Sequence, residues 1–365
     1  MAKRRKPPRT GRGKVKPKGG GADALPVDRA GDGLPEIWTN RCRHAADALY
    51  FAFMGEKLRR VSTVAGALVC ALVTAALTVG VTPPASSTTR WAMPPTATIT
   101  VSSFNLLGAS HTPPGSSRAS GTTRTVYAKQ LLDQHHVDVA GFQEMQAVQY
   151  TKFMSLVGSS WQVYPGLTML KRDSENSIGW RTDTFDLVWA STVKIPYFNG
   201  SLRSMPVVLL REKSTGMLAY FTNYHNPADT ATYRNQAVYR AEATRMEIAL
   251  HNMLAPTGIP RFMTGDMNER ASYYCRVTAE APLAAARPQS QWVGGLCQAG
   301  SPRAVDWIFS SKDVGWSNYV EDRSPLVAKT TDHPMLVGDA TLDTALSPNA
   351  LTATPPAPVT PGQTF

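Results

Sequence analysis

A chain of 365 residues with ordinary apolar (42%) and charged (18%) content can bury a sizeable core, and its four cysteines are too few for a disulfide-built scaffold. The formal charge of +11 suggests nucleic-acid binding until it is divided along the chain. Residues 1–60 hold 15 Lys/Arg against 6 Asp/Glu, so nine of the eleven excess positive charges sit there, and the rest is not a basic protein.

Residues 1–35 are rich in Lys, Arg, Gly and Pro and nearly free of large apolar side chains, so they are expected to be disordered. The stretch from Glu36 to Arg60 mixes Trp38, Tyr50, Phe51 and Phe53 with Lys57, Arg59 and Arg60; it reads equally as an interfacial helix or as an ordinary leader segment. Val61 to Thr82 contains no charge, and as a helix rising ~1.5 Å per residue it would cover a ~30 Å hydrocarbon layer. This predicts one transmembrane helix. Because the basic leader precedes it, the N-terminus is expected in the cytoplasm and the remainder outside. An uncleaved anchor is favoured, since the leader far exceeds a signal n-region and no small-x-small site precedes Pro83; secretion after signal cleavage is the competing reading. The leader could also contact anionic lipid.

Residues 83–96 form a Pro-rich linker and 344–365 a Pro/Thr-rich tail expected to be disordered. Between them, at 97–343, short β-rich runs alternate with helical stretches at Thr123–His136, Ala147–Val157 and Ala231–Leu254, which predicts an α/β domain. Cys275 and Cys297 could pair, as an oxidising compartment would permit, or remain two buried thiols.

Polar residues cluster where the predicted strands end, and a side chain at a strand's carboxyl end projects from a rigid sheet into the space above it. In chain order, TITVSSFN closes on Asn105 and VDVAGFQE on Glu144; NSIGWR begins with Asn176; MLAYFTNYH ends in Asn223 and His225. Then PRFMTGDMNE offers Asp266 and Asn268, AVDWIF offers Asp306, and TDHPML offers Asp332 and His333. Singly, each of these reads as well as a surface or capping residue. His44, His111, His135, His136 and His251 fall outside any motif and are read as solvent-facing or helix-end residues.

The ordered series resembles the endonuclease/exonuclease/phosphatase superfamily, which includes pancreatic deoxyribonuclease, with Gly265-Asp266-Met267-Asn268 and Thr331-Asp332-His333-Pro334 as the most specific parts. The resemblance implies a four-layer α/β sandwich, two mixed sheets face to face with helices outside. It further implies Asp266 as the base that activates water, Asn268 as the residue holding that water, and His333, oriented by Asp306, as donor to the phosphoryl oxygen. His225 would be the second imidazole. Its partner is either Glu175 or Asn176, with Asn176 preferred on strand parity; Asn223 would face the phosphate or else tie neighbouring strands. Glu144, Asn105 and Asp332 would bind Mg2+, with Mn2+ or Ca2+ as alternatives, because hard cations take oxygen ligands.

The expected activity is that of a membrane-anchored nuclease, acting as a monomer on extracellular nucleic acid. A lipid phosphodiesterase or small-molecule phosphatase is the alternative, although no hydrophobic β-hairpin suited to entering a bilayer is evident. A non-catalytic binding module is the third reading. Tyr273, Tyr274 and Trp292, between the paired-cysteine positions or beside them, read as packing or as a surface for stacking on a base.

Overall fold

The computed structural model describes residues 96–169 and 172–352. The expected leader, transmembrane helix at 61–82 and linker up to residue 95 lie outside the described residues, as does the tail from 353. Among the described residues no helix is long and apolar enough to cross a membrane.

The alternating run Thr96–Asn105 forms β1, and Gly121–Gln134 forms α1, entered through Ser120, whose hydroxyl accepts from the Thr123 N–H. There follow β2 (Val139–Gln143), α2 (Ala147–Val157), β3 (Trp161–Tyr164), β4 (Ser177–Arg181), β5 (Phe185–Pro196), β6 (Leu202–Glu212) and β7 (Leu218–His225). The second half runs α3 (Ala237–Leu254), β8 (Arg261–Asp266), α4 (Ala271–Glu280), β9 (Leu283–Ala285), β10 (Ser290–Val293), β11 (Leu296–Ala299), β12 (Asp306–Ser311), β13 (Gly315–Asp322), α5 (Pro325–Thr330) and β14 (Met335–Asp343). Chain past the expected Asp343 boundary still packs on the domain, where Ala350 is fully buried.

Among the described residues one sheet has the order β13-β14-β1-β2-β4-β3 and the other β5-β6-β7-β8-β12-β9. Both are mixed, since β1 and β2 run parallel, as do β7 and β8, while their other neighbours are antiparallel. Three apolar clusters separate the layers. Ile99, Val101, Trp180, Phe221 and Phe262 fill the space between the sheets. Phe104, Leu131, Phe142 and Phe153 lie between the first sheet and α1 with α2, whereas Tyr220, Leu250, Met263 and Tyr273 lie between the second sheet and α3 with α4. Strand alternation accounts for this, because successive residues of β1 serve opposite faces. The α/β sandwich expected from the sequence is therefore present.

Two local readings are corrected. The helix expected from Ala231 begins at Ala237, because residues before it form a loop in which Asp229 accepts from the Gln236 N–H at 2.7 Å. The hairpin not evident in the sequence also exists: β10 and β11 pair around Gly294-Gly295, leaving Trp292, Val293 and Leu296 46, 47 and 71% exposed. The Cys275–Cys297 disulfide is formed and ties α4 to this hairpin. Tyr273 and Tyr274 are buried packing residues, with Tyr274 stacked on Trp307 at 5.5 Å.

The inner face of α3 buries Glu247 completely, where the Tyr273 hydroxyl donates to it at 2.6 Å. Burial pushes its carboxyl up to about 7, the hydrogen bond from Tyr273 offsetting only part of the shift. The folded value lies above the unfolded one, so the folded state holds the extra proton between them. This group's contribution to stability is full below about 4.5 and lost as pH rises through about 7. Glu247→Gln should therefore gain on the wild type by roughly 2–3 kcal/mol between about pH 5 and pH 8 in urea unfolding. A difference that does not change with pH would show that Glu247 does not carry the proton.

Candidate active site

Toward the carboxyl ends of β1, β2, β7 and β8 the space between the sheets changes from apolar to polar. Val101, Phe221 and Phe262 give way to a buried layer of Ser103, Gln143, Asn223 and Thr264. Within it Gln143 Nε2 donates to Asn223 Oδ1 at 2.6 Å, and Thr264 Oγ1 donates to the same oxygen at 3.1 Å. Gly141 is required here, because a Cβ at that position would run into Thr264 and Asn223. One alternation step further along, the register sets Asn105 beside Gln143, His225 beside Asp266, and Asp266 beside Asp306.

These ends converge. Asn105 Nδ2 donates at 3.1 Å to Glu144 Oε1 and at 3.1 Å to Asp266 Oδ2. Asp266 Oδ1 accepts from the Asn268 N–H at 3.0 Å, while Oδ2 lies 3.6 Å from His225 Nε2 and 3.7 Å from His333 Nε2. His333 Nδ1 is 3.0 Å from both oxygens of Asp306, and since a carboxylate only accepts, that nitrogen carries the proton. Asn268 Nδ2 donates to the Asn226 carbonyl at 2.9 Å. Glu144 and Asn268 sit at φ 59° and 46°, in left-handed conformations that cost a non-glycine residue of order 1–3 kcal/mol and that cluster at functional sites.

Burial works against ionisation of Glu144, but His225, the Gly108 N–H, Asn105 and His111 outweigh it and hold the carboxyl below its ordinary value. At His333 burial disfavours the imidazolium, yet the hydrogen bond to Asp306 and the charges of Asp306, Asp266 and Asp332 prevail and raise it to about 10. The site thus combines a low-lying carboxylate with a persistent cation.

Not every expected residue joins this cluster. Asn223 belongs to the layer below, donating to the Phe142 and Ser177 carbonyls at 2.7 and 3.2 Å, because it lies one full alternation short of the strand end. Asn176 is buried and precedes β4 in a turn, its N–H on the Asp173 carbonyl; strand parity does not extend to it, and Glu175 is the residue that lines the cavity. Asp332 is exposed and lines a second recess beyond His333, whereas Asn105 and Glu144 are hydrogen-bonded to each other. Asp266, Asp306 and His333 do bring candidate ligand atoms within 4.8 Å of one another. His333 and Asp306 already hold each other, whereas the Glu144 side, with a half-buried carboxyl held below its ordinary value and the Asn105 amide beside it, offers the oxygen ligands that a hard cation takes.

Sequence reasoning missed the cavity walls. A cavity of about 500 Å³ is lined by Glu144, Glu175, Arg203, His225, Asp266 and His333, together with Tyr197, Phe198 and Tyr233. His111, read as an outlying residue, is 3.4 Å from Glu144 Oε2. His251, read as solvent-facing or helix-end, is fully buried against Thr222, and burial pushes it down to about 3. Beyond His333 a recess of about 190 Å³ is lined by Arg287, Arg303, Arg323, Glu321 and Asp332. No sequence pattern marks these positions, since they come from loops and strand edges without periodicity.

A sequence model of the Endonuclease/Exonuclease/phosphatase family matches residues 102–333. Three similar solved structures follow it. The human Nocturnin catalytic domain with bound sulfate anion has 17% identity and a TM-score of 0.54, covering 67% of this chain and 94% of that one. A mannosyl-6-phosphatase from Bacteroides thetaiotaomicron has 18% identity and a TM-score of 0.50, covering 66% and 99%. TDP2 of D. rerio complexed with single strand DNA product has 14% identity and a TM-score of 0.50, covering 67% and 99%. At such identities the likeness concerns the fold. No curated protein matches the chain.

Proposed function

Because the chain belongs to the endonuclease/exonuclease/phosphatase family, a family of phosphoester hydrolases, we propose that it is a metal-dependent nuclease, membrane-anchored and acting outside the cytoplasm. The observation that carries the hydrolytic reading is the meeting of Glu144, Asp266, His225 and His333 at one cavity. Asp266 takes a proton from the attacking water, and Asn268, held by its own N–H on Asp266, positions that water. His333 donates from Nε2 to the phosphoryl oxygen as negative charge builds there, while Asp306 holds its Nδ1 proton. His225 serves the leaving-group side. A divalent cation, Mg2+ first and Mn2+ or Ca2+ as alternatives, would be held by Glu144 and Asn105 and would supply Lewis-acid charge at the phosphate.

Nucleic acid is preferred as substrate because the recess adjoining His333 carries the exposed Arg303, whose guanidinium can meet a phosphate beside the scissile one, while Arg287 and Arg323 pair with Glu321. TDP2 of D. rerio, by its own description, was captured with a single-stranded DNA product. The uncharged run at 61–82 and the Cys275–Cys297 disulfide support anchoring with the domain on the oxidising side. One observation favours a lipid substrate instead: the exposed Trp292, Val293 and Leu296 of the hairpin are suited to an apolar surface. Incubating the full chain in Mg2+ with plasmid DNA, RNA, sphingomyelin and inositol phosphates separates the readings. Cleavage of nucleic acid is expected. Turnover of sphingomyelin or inositol phosphates with neither nucleic acid cut would overturn it.

A further inference from the structure

We propose that Phe198 and Tyr233 form a platform that stacks on the nucleobase next to the scissile phosphate. This rests on the nucleic-acid reading above and deepens it. Phe198 lies in the turn between β5 and β6, and Tyr233 in the loop between β7 and α3. Though far apart in sequence, their rings meet with centroids 4.3 Å apart and planes 7° from parallel. Tyr197 continues the aromatic surface toward the chemistry, edge-on to His225 at 5.6 Å. All three line the cavity that holds Asp266 and His333.

Loops are ordinarily the mobile part of a fold, but these two are fastened together. Gln236, 1% exposed, donates from Nε2 to Asn199 Oδ1 at 3.1 Å and accepts the Asn199 N–H at 2.9 Å. Its own N–H donates to Asp229 at 2.7 Å, and Arg240 pairs with the same carboxylate at 2.7 Å. Residues serving only to fill a core would be buried, whereas Phe198 and Tyr233 remain partly exposed to the cavity. A flat apolar face held rigid beside a phosphate site fits a planar ring: stacking needs no hydrogen-bond code and loses little entropy when the face is already fixed. An acyl chain fits less well, because the cavity's other walls are carboxylates, an arginine and imidazoles.

The test uses the full chain in Mg2+ and two single strands of equal length, a thymidine oligomer and the same backbone with abasic tetrahydrofuran residues. The wild type should cut the thymidine strand with a KM lower by about 10-fold or more. Tyr233→Ala and Phe198→Leu should bring that ratio close to one by raising KM on the thymidine strand while kcat falls little. Gln236→Ala should act in the same direction, since Gln236 positions the platform. Equal KM for the two strands in the wild type, or an equal loss on both strands in the variants, would overturn the platform alone. Cleavage of neither strand would sink the nucleic-acid reading and the platform with it.

Discussion

Asp266→Asn is expected to lower kcat at least ~10²-fold with little rise in KM, because it removes the base while keeping the size of the side chain. Asp266 is 1% exposed and holds the Asn268 N–H through Oδ1; an asparagine oxygen can keep that bond. Its amide nitrogen would then stand where Oδ2 now faces Asn105, His225 and His333, setting donor against donor and leaving nothing to accept a proton from water. Loss in kcat and in kcat/KM together would mark an interaction realised in the transition state. Thermal unfolding of the variant separates this from misfolding. Activity within a few-fold of the wild type would remove Asp266 from the chemistry and leave another group to activate the water.

The reach of the sequence follows from strand geometry. Asn105, His225, Asp266 and Asp306 could be read because each belongs to a strand whose alternation settles the face and whose end settles the depth. Asn223 shares the face of His225 but lies one step deeper, and alternation by itself contains no depth coordinate; its hydrogen bonds to Gln143, Phe142 and Ser177 come from the opposite sheet. Glu175 and Asn176 could not be resolved, because the chain turns before β4 and parity has no meaning in a turn. Phe198 and Tyr233 meet only through the pairing of two loops. At the hairpin, strands of four residues are too short for alternation to show, so the exposed Trp292, Val293 and Leu296 escaped notice.

Asp306→Asn should act through His333 and so reveal itself in the pH profile more than at a single pH. In the wild type the imidazolium survives until pH passes about 10, so protonation of His333 does not limit activity near neutrality. The variant keeps an oxygen to accept the Nδ1 proton but loses the Asp306 charge that lifts the ring, while burial continues to disfavour its charged form and the charges of Asp266 and Asp332 remain. The value should then fall from about 10 toward the ring's ordinary one. Activity that needs a protonated His333 is lost as pH rises through the folded value, so the basic limb of kcat/KM moves down from near 10. A limb displaced as far as the ordinary 6.5 would mean a loss of about 30-fold at about pH 8 from the protonated fraction alone. A purely structural role for Asp306 would lower activity evenly at all pH values, and a basic limb that stays in place would end the assignment of His333 as the proton-bearing donor. His333→Gln completes the argument: it keeps a donor at the phosphate but cannot titrate, and its profile should lack the limb that Asp306→Asn displaces.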